Sequence, residues 1–250
     1  MYGTPPYMFW ARGAYHRCVC TCAHPPSPLR YKLDTFQGRV VQRGANSTNG
    51  CTVIAPLVAA QHLVSQGGIS DQSVEDVIDR VAGKWLIEIR GKLGLSENAL
   101  IIPSDVHDHF VDNKVLSQEL FIGASGGNIL DEEHISGMLT NLDENGRNLS
   151  AAALFFHAHV VSIVKMVVGK ETWYDLIDSL PMEHGKAGRG GARIRCKDVK
   201  TLGACIRWYA SSKLGQGDME FCDSNDWDDM NCDFDPRVFQ GFVWGLPEGK

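Results

Sequence analysis

Three residues of this 250-residue chain offer a thiol, an imidazole and a carboxylate in an order that could serve nucleophilic catalysis. Cys51 follows Asn46-Ser47-Thr48-Asn49-Gly50 and precedes the apolar run Thr52 to Ser65. There Ile54, Leu57, Val58, Gln61 and Leu63 keep roughly helical spacing, and Gly67-Gly68 ends the run. Pro56 is tolerable only near the first turn of such a helix. A helix N-terminus favours the thiolate, the nucleophilic form of cysteine. Asn46 could aim its amide at an oxyanion formed beside the sulfur. Taken alone, the segment fits a buried structural cysteine after a turn equally well.

His159 opens His159-Val-Val-Ser-Ile-Val-Lys165, whose alternation puts His159, Val161 and Ile163 on one face. Gly169-Lys170 reads as a two-residue turn and Glu171 to Asp178 as the returning strand. If Val168 faces Glu171, His159 lies opposite Leu180 and Asp178 opposite Val161. His159 and Asp178 are then diagonal neighbours on one face, within reach of an imidazole–carboxylate bond. Asp175 would face Val164 on the other side, roughly 17 Å along the ladder from His159. Asp178 is therefore the orienting carboxylate. His157, read on the same face two residues earlier, is the rival base.

The remaining elements must hold these side chains. Ser70 can cap a helix running to about Leu93, with Val74, Val77, Ile78, Val81, Trp85, Leu86 and Ile89 on one stripe. Ser104 can cap a short helix to about Val111, and Asp131 to Leu142 reads as another, with acidic residues at its positive end. Strands are expected over Gln118 to Gly123, Ala152 to Val168, Ala192 to Cys196 and Phe239 to Trp244. Asp198 can cap a helix from Val199 to about Leu214. Helices first and strands mostly later indicate an α+β fold. Residues 1–33, with five prolines and no Asp or Glu, read as an irregular arm, and 34–250 as one domain.

These boxes resemble those of papain-like cysteine peptidases, and among them deubiquitinases. Asn46 to Cys51 is similar to the cysteine box of ubiquitin-specific proteases, with Asn five and two positions before the nucleophile. His159 to Lys165 resembles the histidine box of those enzymes and of Josephin-type deubiquitinases, and Trp173-Tyr-Asp-Leu-Ile-Asp178 the aromatic-Asp box that follows. The resemblance spans these boxes, not the whole chain; Thr52 stands where the family has an aromatic residue, and the usual zinc-binding fingers are missing. It implies a papain-like fold, N-terminal helices packed on an antiparallel sheet. It further implies a thiol hydrolase that cleaves amide or isopeptide bonds at the C-terminus of ubiquitin or a ubiquitin-like protein. Cys51 would attack, His159 would carry the proton, Asp178 would hold the imidazole, and Asn46 would complete an oxyanion hole, with no metal or cofactor. Two alternatives use the same residues: a transglutaminase-like acyltransferase, and a catalytically inactive papain-like fold that binds proteins.

Composition narrows the partners. Lys plus Arg number 24 against 30 Asp plus Glu, a net charge of −6 without a basic stripe, which disfavours nucleic acid. The most apolar stretch, Ala151 to Val168, contains His157, His159 and Lys165, so no membrane span is expected. Pro5, Pro6, Arg12 and His16 interrupt any secretory h-region, so the eight cysteines fit a reducing compartment, cytoplasmic or nuclear. Cys18, Cys20, Cys22 and His24 could ligate zinc but lack the usual two-residue gap, so free thiols are the better reading. The Gly185 to Gly191 loop lacks the spacing of a phosphate-binding loop. Asp218 to Asp235 carries eight acidic residues interleaved with Phe221, Trp227 and Phe234, which is either a solvated loop or a docking surface for a basic partner.

Overall fold

The apolar run Ala152 to Val168 folds not as one strand but as a hairpin. Strands β3 (Ser150–Phe156) and β4 (His159–Val168) pair with Phe156 opposite His159. The two turn residues, His157 and Ala158, have φ of 43° and 58°. Two positive φ values are the signature of the tightest hairpin turn, which ordinarily takes Asn and Gly. Their absence hides this turn from a reading of the sequence. His157 therefore lies in the turn and does not share a strand face with His159.

The computed structural model describes residues 29–39, 48–65, 68–143, 149–180 and 190–246. Asn46, the Cys18–His24 cluster and most of the glycine-rich loop lie outside them. A seven-stranded antiparallel sheet runs in the order β1-β6-β5-β4-β3-β7-β2, placing β4 at its centre. The other strands are β1 (Leu29–Lys32), β2 (Phe121–Asn128), β5 (Glu171–Asp178), β6 (Ala192–Cys196) and β7 (Val238–Gly245). The first of these falls within the expected irregular arm, yet it pairs along its whole length with β6. A 3₁₀ turn, Gln118–Leu120, takes the first half of the strand expected at Gln118 to Gly123.

Helix α1 (Cys51–Val64) lies on one face of the sheet, and twelve of its fourteen residues are buried. It is apolar on nearly every side because it is enclosed on nearly every side. The sheet covers it on one side. On the others stand α2 (Asp71–Asp76), α3 (Ala82–Leu93) and α4 (Pro103–Asp112). Ser70 does cap α2, accepting from the Ser73 N–H at 3.1 Å, and a π turn over Val77–Val81 joins α2 to α3. Ser104 is not a cap: α4 starts one residue earlier, with Pro103 in its first turn, where a missing N–H costs nothing. On the opposite face α5 (Glu132–Asp143) and α6 (Val199–Ser211) cover a second core. The architecture is α+β with the N-terminal helices on an antiparallel sheet, as expected, and a second helical layer behind it.

Polar ties fix α1 along β4. The Ser162 hydroxyl donates to the Ala55 carbonyl at 3.1 Å, and His62 Nε2 donates to the Lys165 carbonyl at 2.8 Å. The other nitrogen of His62 accepts from the Ile69 N–H at 3.2 Å, which settles the tautomer. Seven residue steps along the helix from Ala55 to His62 and three along the strand from Ser162 to Lys165 each cover about 10 Å. The helix thus runs beside the strand in step with it, and its first residue reaches the start of β4.

Farther along the same face Asp175, fully buried, accepts from Arg193 Nε at 2.5 Å and from both Arg195 Nε and Nη2 at 2.8 Å. Arg193 also reaches Asp71 at 2.7 Å and the Ile69 carbonyl at 2.9 Å, tying the sheet to the start of α2. Asp175 is a structural counter-ion. Asp175→Asn should leave the 4%-exposed Arg193 short of charge compensation. The expected loss is about 3–5 kcal/mol, read as a lower urea midpoint at unchanged slope. An unaltered midpoint would show that the two arginines need no carboxylate there.

Candidate active site

Cys51 is the first residue of α1, and the turn before it is held from outside the helix. Arg90 of α3, itself buried, donates to the Thr48 carbonyl at 2.9 Å and to the Ala99 carbonyl at 3.0 Å. Asn49 adopts φ 58°, and its amide donates to the Asn98 carbonyl at 3.0 Å. The Thr52 hydroxyl returns to the Asn49 carbonyl at 2.8 Å. Arg90 is the positioning residue the sequence concealed: it lies 39 positions from Cys51 on a helix whose stripe gave no reason to single it out.

The sulfur ends against the backbone of Val160, next to His159. Only 2% of Cys51 is exposed. Burial pushes the thiol up to about 11; a hydrogen bond from the Val160 backbone opposes this, and the Asp178 carboxylate adds to it. The helix N-terminus does not prevail over desolvation here. His159 is pressed the other way, down to about 4, by burial first and then by the Lys213 ammonium and His157, with Asp178 opposing. Near neutral pH the centre holds a thiol and an uncharged imidazole.

The hairpin register is the one the sequence indicates: Val168 faces Glu171 and Ser162 faces Ile177. His159 and Asp178 consequently share a face. That face is the one covered by α5 and α6. Phe156, in the core beneath α6, has its ring centroid 5.9 Å from that of His159, and Tyr209 of α6 bonds Asp178. Cys51 belongs to the core on the other face. The sheet thus brings Cys51, His159 and Asp178 to one end of β4 and β5 from opposite sides. Among the described residues no hydrogen bond joins the Cys51 thiol to His159 or His159 to Asp178, and His159 Nδ1 is buried without a partner. His157, the rival base, is engaged instead with Asp218 at 3.2 Å.

Beyond His157 opens a cleft of about 540 Å³, lined by Asp218, Phe221, Asp233, Phe234 and Asp235. The acidic stretch is only in part a loop, because α7 (Gln216–Ser224) occupies its first half. Arg237 then anchors the remainder, bonding Asp235 at 2.6 Å and lying 5.7 Å from the centre of the Trp227 ring. Phe234 and Met230 remain almost wholly exposed. Among the described residues no group of three His, Cys, Asp or Glu side chains could hold a metal ion, and no helix is long and apolar enough to cross a membrane.

No family model matches the sequence, and no curated protein matches it. Among solved structures, the crystal structure of the Pseudomonas avirulence protein AvrPphB is similar, with a TM-score of 0.41 and 12% identity, over 83% of this chain and 97% of that one.

The state of the thiol is directly measurable. Carboxamidomethylation of Cys51 by iodoacetamide, followed by peptide mass, should be slow at pH 7 and rise steadily to pH 11 as the thiolate forms. A rate already at its plateau by pH 7 would contradict a desolvated, protonated Cys51.

Proposed function

We propose that the chain is a cysteine-dependent hydrolase acting on the C-terminal glycine amide or isopeptide of ubiquitin or a ubiquitin-like protein. The observation that carries this reading is the arrival of Cys51, at a helix N-terminus, beside His159 and Asp178 at one end of the central strands. The three boxes that resemble those of deubiquitinases supply the substrate class.

In this reading a neutral thiol meets a neutral imidazole, so His159 acts as a general base during attack rather than as half of a standing ion pair. His159 must turn around the end of β4 to meet the sulfur. His159 takes the Cys51 proton as sulfur bonds to the substrate carbonyl carbon; the C–N bond then breaks, the amine leaves with that proton, and water cleaves the resulting thioester to the acid and the free thiol. Asn46 is assigned to the oxyanion hole on the resemblance alone. The cleft beyond His157 suits a basic rim around an apolar patch, because carboxylates and exposed aromatic side chains stand together there.

A second reading, a papain-like module that binds proteins without turnover, is favoured by the depth of Cys51 and by the missing bond between His159 and Asp178. Steady-state hydrolysis of a ubiquitin C-terminal fluorogenic amide separates the two. The wild type should turn over, while Cys51→Ala should fold with the same circular dichroism and show none. Activity surviving in Cys51→Ala would end the proposal. In the same assay, neutralising Asp226, Asp228 and Asp229 together should raise KM more than it lowers kcat. An unchanged KM would remove the acidic surface from substrate recognition.

A further inference from the structure

Asp178 is 1% exposed, and groups other than an imidazole hold its carboxylate. One oxygen accepts the Leu180 N–H at 2.8 Å. The other accepts the Tyr209 hydroxyl and the Lys213 ammonium, the latter at 3.3 Å. Lys213 lies two residues beyond α6, its ammonium 4.9 Å from the centre of the Tyr209 ring, so both donors come from one helix end. A carboxylate this deep is costly to bury without donors, and these three supply them. The Tyr209 hydroxyl leaves that carboxylate little rotational freedom.

His159 is flanked by charge from several elements. Asp178 stands on β5, and Tyr209 and Lys213 at the end of α6. His157 stands in the β3–β4 turn with Asp218 of α7 behind it. Cys51 sits across β4. Among the described residues the buried Nδ1 of His159 has no partner, while the carboxylate of its diagonal neighbour Asp178 is bonded to Tyr209 of α6 and to Lys213.

We propose that Tyr209 and Lys213 are positioning residues of the Cys51 centre. They hold the Asp178 carboxylate in one orientation beside His159, and Lys213 sets its ammonium charge against the imidazole. The catalytic meaning of this arrangement rests on the reading of His159 as the base for Cys51; the electrostatic link does not. Lys213 repels a proton on His159, so its loss favours proton uptake by the imidazole. A purely structural role for Lys213 would change stability and leave that uptake where it is.

The test is a pH titration of the His159 ring resonance by NMR on the full chain, assigned by its disappearance in His159→Gln. The wild type should titrate near pH 4. Lys213→Met should move the midpoint upward and Lys213→Arg should leave it near the wild-type value. Lys213→Gln removes the same charge should the methionine variant not fold. Tyr209→Phe should broaden the range of Asp178 orientations and lower turnover of the ubiquitin amide without restoring a lost charge. A midpoint in the charge-removing variants within about 0.2 of the wild-type pH overturns the proposal, whatever the activity. If the midpoint moves, the acid limb of turnover should move with it. A shifted midpoint in a protein that turns over nothing leaves the Lys213–Asp178–His159 link standing and removes the hydrolase reading instead.

Discussion

The chemistry of this chain depends on how one buried helix is locked along one strand. Ser162 to Ala55 and His62 to Lys165 tie α1 to β4 at two points, and the matching rise of helix and strand between them carries the alignment back to Cys51. Slipping α1 by a turn would break both bonds inside the core, where an unpaired polar group costs about 1–3 kcal/mol. Arg90 then holds the entering turn at Thr48, so the direction from which the chain reaches Cys51 is set as firmly as its depth. The sulfur comes to rest against Val160 because these constraints allow it little else.

The same enclosure opposes reactivity. The backbone donors at the helix N-terminus lower the thiol's pKa, but the loss of water around Cys51, with the Asp178 carboxylate acting in the same direction, outweighs them. His159 experiences the corresponding pressure toward neutrality. A thiol and imidazole that are both uncharged avoid the desolvation of a buried ion pair. The cost falls on the reaction instead, because charge must then develop within the transition state. A substrate tail that opens the end of β4, or that supplies hydrogen-bond donors as it enters, would act on that cost.

Much of this was legible before the structure. The apolar run of α1, the Ser70 and Asp198 caps, and the β4–β5 register with its Gly169-Lys170 turn follow from local chemistry that each segment carries in itself. What was hidden is non-local or relies on atypical turn residues. The His157–Ala158 turn uses positive φ without glycine, so one long strand was expected where a hairpin stands. Alternation places His159 and Asp178 on one face, but it could not reveal that α1 packs on the opposite face of the same strands. Tyr209 and Lys213 reach Asp178 from a helix about thirty residues further on, and no spacing rule joins them to it. Leu29–Lys32 is too short to read as a strand until β6 is there to pair with it.

The most direct test is the intact mass of the protein after incubation with ubiquitin bearing a C-terminal electrophile, with Cys51→Ala alongside. Addition of one ubiquitin to the wild type and none to the variant is expected, since it requires the thiol, its activation and recognition of the modifier together. No adduct on the wild type, while a small alkylating agent still modifies Cys51, would contradict ubiquitin as the substrate. Failure of both reagents, with the alkylating agent carried up to pH 11, would contradict the nucleophile itself.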